Sequence, residues 1–174
     1  MKKHATVYWL LPAKDERELF CEIVRILCEE LSAPKFEPHL TILVSSGSTA
    51  SPKQVLAKVR AKPIRMRIRG TATTSRYSKT LFVRLGPNRA FEKLISELAA
   101  AAKVRPRRIR DPHISLLYKR RASAPTKRQL AQVIKLPFRE VTFDSIAAVR
   151  LRLPVRTRAD VEAWRIVARK SLGR

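Results

Sequence analysis

Two short stretches of the chain pair a histidine with a hydroxyl residue two positions later. They are PHLTIL at 38–43 and PHISLL at 112–117. Residues i and i+2 of a strand point to the same face, so His39 would share a face with Thr41, and His113 with Ser115. An imidazole exchanges protons near neutral pH, and a hydroxyl donates a hydrogen bond to a phosphoryl oxygen. Brought together, the two pairs predict acid–base chemistry on a phosphate ester.

One such tripeptide carries little information, because His4 is also followed by a hydroxyl residue at the second position, Thr6. A single strand histidine is also compatible with a purely structural role. The two stretches differ from the His4 sequence in that proline precedes each histidine and apolar residues flank it. The apolar residues predicted to point into the core are Leu40, Ile42, Ile114 and Leu116.

The chain aligns with itself without a gap at an offset of 74 residues, which places His39 on His113. Other identities in this register include Pro38/Pro112, Leu43/Leu117, Lys53/Lys127, Leu56/Leu130, Pro63/Pro137 and Arg65/Arg139. An internal repeat indicates a duplicated fold. We therefore predict a single bilobal domain over 1–174, built from two related halves at about 5–72 and 79–146, with a C-terminal segment at 147–174.

Hydrophobic periodicity predicts the same order of elements in each half. The predicted strands are 5–11, 38–44, 63–72, 80–86, 112–118 and 137–152, and the predicted helices are 15–31, 52–60, 89–103 and 125–134. In the first helix, the apolar stripe comprises Leu19, Ile23, Ile26, Leu27 and Leu31. The stretch 73–79 is predicted to be the turn between the halves. The C-terminal sequence fits either a helix or an edge strand at 164–172, and we favour the strand. The fold class is α+β.

The charge balance is strongly basic, with 38 Lys+Arg against 14 Asp+Glu and a net charge of +24. This favours a polyanionic partner, most often nucleic acid, although a basic proteome or a solubility function would give the same balance. The hydrophobic fraction of 45% supports a packed core. No apolar run is long enough for a membrane span or a secretory leader. Cys21 and Cys28 form no zinc pattern, so we expect a reducing compartment and a cytoplasmic protein.

The paired PHLTIL and PHISLL stretches resemble the 2H phosphoesterase superfamily, in which two such motifs lie on the two lobes of a duplicated fold. VYWLLP near the start and PHISLLY look most like its cyclic phosphodiesterase branch; the RNA 2′,5′-ligase-like branch is related. The resemblance implies a duplicated bilobal fold, with two pseudo-twofold-related lobes. Their mostly antiparallel sheets would line a central cleft, and the helices would lie outside.

The resemblance also implies an enzyme that hydrolyses a cyclic phosphodiester without a metal or another cofactor. Its substrate would be a nucleoside 2′,3′-cyclic phosphate, ADP-ribose cyclic phosphate or an RNA cyclic-phosphate end. One histidine would deprotonate water and the other would protonate the leaving sugar oxygen; which takes which role stays open. The sequence contains no Asp/Glu cluster typical of a metal site. The alternatives are an RNA 2′,5′-ligase or RNA-end processing enzyme, and a non-catalytic RNA-binding module.

Carried over to this chain, the resemblance makes His39 and His113 the catalytic pair, with Thr41 and Ser115 binding the phosphate. Tyr118, five residues after His113, would contact the substrate.

Two further aromatic residues are candidates for substrate contact. Trp9 matches a family tryptophan near the end of the first strand, and would either lie over the base or sugar or pack in the core. Tyr77, in the turn between the halves, is a further stacking candidate.

Basic residues run directly into the second histidine stretch. These residues, Arg105, Arg107, Arg108 and Arg110, would form one rim of the cleft for RNA, or else belong to a solvated loop. Glu37 and Asp111 precede the two Pro-His pairs, and would either orient an imidazole or balance nearby arginines. The expected partners are a nucleotide cyclic phosphate or an RNA end, and RNA on the basic surface. We expect a monomer and no membrane partner.

Overall fold

The structure, a computed structural model, describes residues 2–46, 50–119 and 123–173. Within these ranges it contains seven strands and five α-helices. The strands are β1 (Lys3–Pro12), β2 (Leu40–Ser45), β3 (Ile64–Thr73), β4 (Leu81–Leu85), β5 (His113–Leu117), β6 (Glu140–Leu153) and β7 (Arg165–Ser171). The helices are α1 (Lys14–Glu30), α2 (Pro52–Lys58), α3 (Arg89–Ala101), α4 (Ala124–Val133) and α5 (Arg158–Glu162).

The predicted strands and helices are confirmed, with boundaries that move by up to three residues. The order β1-α1-β2-α2-β3 recurs as β4-α3-β5-α4-β6. The predicted C-terminal strand is present as β7, and the short helix α5 precedes it. A single 3₁₀ turn, Tyr77–Lys79, lies within the predicted connection between the halves.

The sheet is antiparallel, in the order β2-β1-β6-β3-β4-β5, and β7 pairs with the free edge of β6. The last strand of each half therefore lies beside the other half, because β3 pairs with β4 and β6 pairs with β1. Where they cross, β3 and β6 pair with each other, from Ile64 opposite Phe143 to Arg67 opposite Glu140. This exchange produces two interleaved lobes.

The main core lies between the sheet and the helices. In α1 the buried residues are Phe20, Val24, Leu27 and Cys28, spaced as one helical face. The predicted apolar stripe coincides only in part with this buried face. Leu27 is buried as expected, but Ile26 is 46% exposed. In α3 the buried face comprises Phe91, Leu94, Ile95, Leu98 and Ala99, and the Asn88 side chain caps the helix by accepting from the Phe91 amide.

The opposite face of β1 and β6 is also apolar. A second cluster on this face contains Ala5, Val7, Trp9, Leu11, Ala147, Val149 and Leu151, with Leu153 and Trp164 packed against it. The two central strands are therefore apolar on both faces. This second face forms the floor of the cleft that contains the histidines.

No helix in the described ranges is long and apolar enough to cross a membrane. Cys21 is exposed and Cys28 is buried, and both are free thiols. The reducing compartment and the cytoplasmic location stay predictions.

Candidate active site

The two histidine stretches occupy equivalent places in the sheet. His39 lies directly before β2, and His113 is the first residue of β5. The predicted inward-facing residues are confirmed in the main core: Leu40, Ile42, Ile114 and Leu116. Because these side chains fill the core face, the histidine and hydroxyl side chains are left on the opposite face.

Each imidazole ring forms the same kind of hydrogen bond, to the main-chain carbonyl oxygen of the residue two positions earlier. His39 Nδ1 donates to the Glu37 carbonyl oxygen at 2.6 Å, and His113 Nδ1 donates to the Asp111 carbonyl oxygen at 2.8 Å. A carbonyl oxygen only accepts, so each Nδ1 carries the hydrogen, and the neutral ring keeps its lone pair on Nε2. No residue that the structure describes hydrogen-bonds to either Nε2. Each motif therefore presents a nitrogen that is ready to accept a proton.

One cavity of about 330 Å³ contains most of the predicted site. The predicted residues that line it are Trp9, His39, Thr41, His113, Ser115 and Tyr118. Its other walls are Val7, Val44, Ser78, Leu151, Leu153, Pro154, Val155 and Trp164. The structure thus brings both histidine–hydroxyl pairs together in a cleft whose remaining surface is largely apolar.

Burial controls the protonation of both rings. Desolvation lowers the pKa of His39 to about 4, against the raising effect of its hydrogen bond to the Glu37 carbonyl; the nearby His113 lowers it further. Burial also lowers the pKa of His113. Both imidazoles are therefore neutral near pH 7 in the protein alone. A bound anion would favour the charged form and raise both pKa values.

Aromatic rings fix the position of each imidazole. The Trp9 ring stacks on His39, with 3.7 Å between ring centroids and an interplanar angle of 14°. Phe82 meets His113 edge to face at 5.2 Å. Trp9 is buried in the apolar cluster and also lines the cavity. The two alternatives for Trp9 are therefore not exclusive.

Neither of the acidic side chains before the Pro-His pairs hydrogen-bonds to an imidazole. Glu37 accepts from Arg169 Nη2 at 2.7 Å. Asp111 is paired with Lys79 and accepts from Arg84 Nε at 3.3 Å. At both positions the carboxylate balances basic side chains, and the main-chain carbonyl of the same residue orients the histidine.

The two hydroxyl residues differ in their surroundings. Ser115 is buried, and its Oγ donates to the Ser78 carbonyl oxygen at 3.0 Å. Thr41 is exposed. Tyr118 is buried and stacks on Phe36 with 4.2 Å between centroids. Burial raises the pKa of Tyr118, so its hydroxyl stays protonated.

The other predicted residues lie outside the cavity lining. The Tyr77 ring lies next to the Tyr118 ring, with 6.0 Å between their centroids. The Tyr77 hydroxyl is buried and has no hydrogen-bond partner within the described ranges. The four predicted rim arginines are exposed, and none of them lines the cleft. Arg107 and Arg108 instead line a separate cavity beside Phe91.

Trp164 is a cleft residue that the sequence analysis did not identify. It contacts the rings of Trp9, His39, Phe36 and Tyr118 edge to face. Its Nε1 is buried without a hydrogen-bond partner among the residues that the structure describes. Trp164 lies in the C-terminal segment, beyond the internal repeat. It therefore has no counterpart in the other half, and the repeat could not identify it.

The described part of the chain contains no group of three or more His, Cys, Asp or Glu residues arranged to hold a metal ion.

No family model matches the chain, and no curated protein matches its sequence. Solved structures do match it. E. coli LigT in its apo form is 16% identical, with a TM-score of 0.59 over 100% of both chains, and its complex with 3′-AMP gives 0.58 at the same identity and coverage. TT0787 of Thermus thermophilus is 19% identical, with a TM-score of 0.56 over 99% of this chain and 98% of that chain. The chain has the fold of these proteins, so the duplicated bilobal α+β fold is confirmed.

Proposed function

We propose that this chain, which has the LigT fold, is a 2H-type phosphoesterase that hydrolyses a cyclic phosphodiester on a nucleotide or an RNA end. One observation carries the proposal: two imidazoles, tethered by the same main-chain contact, share a cavity with two hydroxyl residues. A structural histidine needs no equivalent partner across a cleft. An imidazole with a free Nε2 accepts a proton there when neutral and donates one when protonated, so a pair of such rings can transfer protons on both sides of one phosphate.

The cavity suits a nucleotide. Its volume of about 330 Å³ lies at the small end of the range for ligand sites. The apolar wall formed by Leu153, Pro154 and Trp164 offers surface to a base or sugar, while the histidines and hydroxyls face the phosphate. LigT has been crystallised with 3′-AMP and with ATP, which supports a nucleotide as the ligand class.

The reaction uses one histidine on each side of phosphorus. His39 accepts a proton from water through Nε2, and the water oxygen bonds to phosphorus in line with one ring P–O bond. That bond breaks, and His113, protonated on Nε2, gives its proton to the leaving sugar oxygen. Thr41 donates a hydrogen bond to a non-bridging oxygen as negative charge increases on it. Ser115 does the same once its hydroxyl hydrogen turns from the Ser78 carbonyl oxygen to the phosphate. The resemblance favours release of the 3′ oxygen, which leaves a 2′-phosphate.

The assignment of base and acid follows from burial. His39 has its pKa lowered to about 4 and is therefore the neutral member of the pair. His113 is only half-buried, and its charged neighbours Lys79 and Asp111 act on its pKa in opposite directions. The substrate phosphate raises the pKa of both rings, and we assign the charged form to His113 because it is the less buried of the two.

Nucleoside 2′,3′-cyclic monophosphates test the proposal directly. We expect turnover that persists in EDTA and falls by about 10²–10⁴-fold in His39→Ala and in His113→Ala. His4→Ala is the matched control, because His4 is exposed and lies outside the cleft, and it should keep full activity. Absence of turnover on every cyclic phosphate, together with tight and salt-sensitive RNA binding, would instead support the non-catalytic module.

RNA-end joining is the second candidate, favoured by the net charge of +24. In that reaction a 5′-hydroxyl of RNA would replace water as the nucleophile, and the same histidines would move the same protons. RNA fragments with cyclic-phosphate and 5′-hydroxyl ends distinguish the two. A joined product supports ligation, and an opened phosphate end without joining supports hydrolysis.

A further inference from the structure

The outer face of β3 carries three arginines in a row. Arg65, Arg67 and Arg69 are exposed, and they alternate with the buried Ile64 and Met66 on the other face. Within the described ranges, none of the three forms an ion pair, although Glu140 is the cross-strand neighbour of Arg67. We call Arg65, Arg67 and Arg69 the β3 arginine row. No salt bridge in the described part of the chain pairs these three guanidinium groups with a carboxylate.

The β3 arginine row leads to the cleft. Arg84 on β4 lies directly opposite His113 on β5, and β4 pairs with β3 on its other edge. Ile68 and Leu85 are cross-strand partners that face the core, so Arg69 and Arg84 share the cleft-side face. Neighbouring strands lie about 4.8 Å apart, which puts the Arg69 backbone roughly 10 Å from that of His113.

The segment after β4 fixes the row in place. The Gly86 amide donates to the Arg67 carbonyl oxygen at 2.8 Å, and Asn88 Nδ2 donates to the Arg65 carbonyl oxygen at 2.7 Å. A Cβ atom at Gly86 would stand 2.9 Å from Arg69 Nε. Because Gly86 has no side chain, it leaves the space beside it that the Arg69 guanidinium occupies.

We propose that the β3 arginine row binds the phosphates of a single-stranded nucleic acid whose terminal nucleotide occupies the cleft. This rests on the proposed function. Alternate strand residues repeat at about 6.6 Å, so the row presents a line of guanidinium groups to a chain of regularly spaced anions. Guanidinium groups bind phosphate oxygens in pairs. A cavity of about 330 Å³ lies at the small end of the range for ligand sites, so a single unpaired nucleotide is the end that we expect to enter it.

The β3 arginine row and the arginine rim predicted from the sequence are different surfaces. Variants of the predicted rim can therefore serve as the matched control for variants of the row. The triple variant R65Q/R67Q/R69Q and the triple variant R105Q/R107Q/R108Q each remove three exposed positive charges. Binding of a fluorescein-labelled RNA of about ten nucleotides with a 3′-phosphate is measured by anisotropy over a range of salt. Turnover of a nucleoside 2′,3′-cyclic monophosphate is measured on the same proteins.

We expect R65Q/R67Q/R69Q to weaken RNA binding at least about tenfold at low salt and to reduce the slope of log K against log salt by about two. R105Q/R107Q/R108Q should change RNA affinity less than about threefold, and R65K/R67K/R69K should retain most of it, since the charge is kept. Mononucleotide kcat/KM should stay within about twofold of wild type, because the row lies outside the cavity.

Equal weakening by both glutamine triples would overturn the proposal, and so would unchanged RNA binding by R65Q/R67Q/R69Q. Binding to phosphatidylserine vesicles is measured on the same variants. If R65Q/R67Q/R69Q binds RNA as the wild type does but binds these vesicles more weakly, the row belongs to a membrane-binding surface instead. Row-dependent RNA binding by a wild-type protein that turns over no cyclic phosphate would support the row and contradict the proposed function. Mononucleotide turnover without row-dependent RNA binding would support the proposed function and contradict the role of the row.

Discussion

At the scale of single residues, the orientation of both imidazoles depends on main-chain atoms. The carbonyl oxygens of Glu37 and Asp111 accept from the histidines two residues later, while their carboxylates pair with basic side chains. The tautomer of each ring is therefore independent of the acidic side chain. This differs from a catalytic triad, in which a carboxylate sets the tautomer of the histidine.

Burial of His39 should make the protein less stable in mild acid. Its pKa is about 4 in the folded chain and 6.5 ordinarily, so the unfolded chain takes up the proton first as pH falls. Between about pH 7 and about pH 5, the free energy of unfolding should decrease by about 2 kcal/mol through this group. Urea unfolding at the two pH values measures the decrease, and His39→Gln should show a smaller one. An equal decrease in the variant would contradict the assignment.

Trp9 should act as a positioning residue for His39. Removing its ring in Trp9→Leu takes away the stack at 3.7 Å and admits water to the imidazole. We expect kcat to fall about tenfold and the pKa of His39 to rise from about 4 toward 6.5, measured by NMR titration of the ring. Trp9→Phe keeps an aromatic face and should change both less. A His39 pKa that stays near 4 in Trp9→Leu would rule out this role.

At the scale of elements, local patterns were sufficient to predict the strands and helices, since periodicity records which face is buried. They did not identify the buried face of α1: Ile26 fits an apolar stripe but is 46% exposed, because the neighbouring stripe through Phe20 and Val24 meets the core. Periodicity leaves such a choice between adjacent apolar stripes to tertiary packing.

Sequence proximity was a poor guide to the basic surface near the site. Arg107 and Arg108 precede His113 closely in the chain but lie beside α3. Arg84 is distant in sequence, yet it is the cross-strand partner of His113. Strand pairing decides which side chains are neighbours, and the pairing of β3 with β4 and of β6 with β1 cannot be read from the strands one by one.

The turn of β3 from one lobe to the other depends on Gly70. Its φ is +105°, and it lies where the β3–β4 register shifts between Ile68 and Thr71. A Cβ at Gly70 would meet no atom within 4 Å, so Gly70→Ala tests backbone strain alone. We expect a loss of about 1–2 kcal/mol in the free energy of unfolding in urea. Gly173→Ala, which also has open space, is the control. Equal stability of the two variants would show that the register shift does not depend on glycine.

At the scale of the whole molecule, the exchange of strands joins the two halves more closely than a linker would. β1 pairs with β6 along its full length, from Lys3 opposite Leu153 to Pro12 opposite Phe143. Ile146 and Ala148 of β6 belong to the same core cluster as Tyr8 and Leu10 of β1. The cleft therefore depends on both halves, because each lobe that carries a histidine contains a strand from the other half.

This topology predicts that neither half folds alone. A cut between Ser75 and Arg76, both exposed, separates the halves without interrupting a strand. Fragment 1–75 would leave apolar strand faces and edges of β1 and β3 uncovered, which small domains do not tolerate. We expect each fragment to lack cooperative urea unfolding and dispersed NMR spectra, and an equimolar mixture to regain both, together with turnover of the cyclic phosphate. The control is the intact chain cleaved at the same bond after folding, which should remain assembled. Cooperative unfolding of fragment 1–75 by itself would mean that the exchanged strands are dispensable and that each half carries its own core.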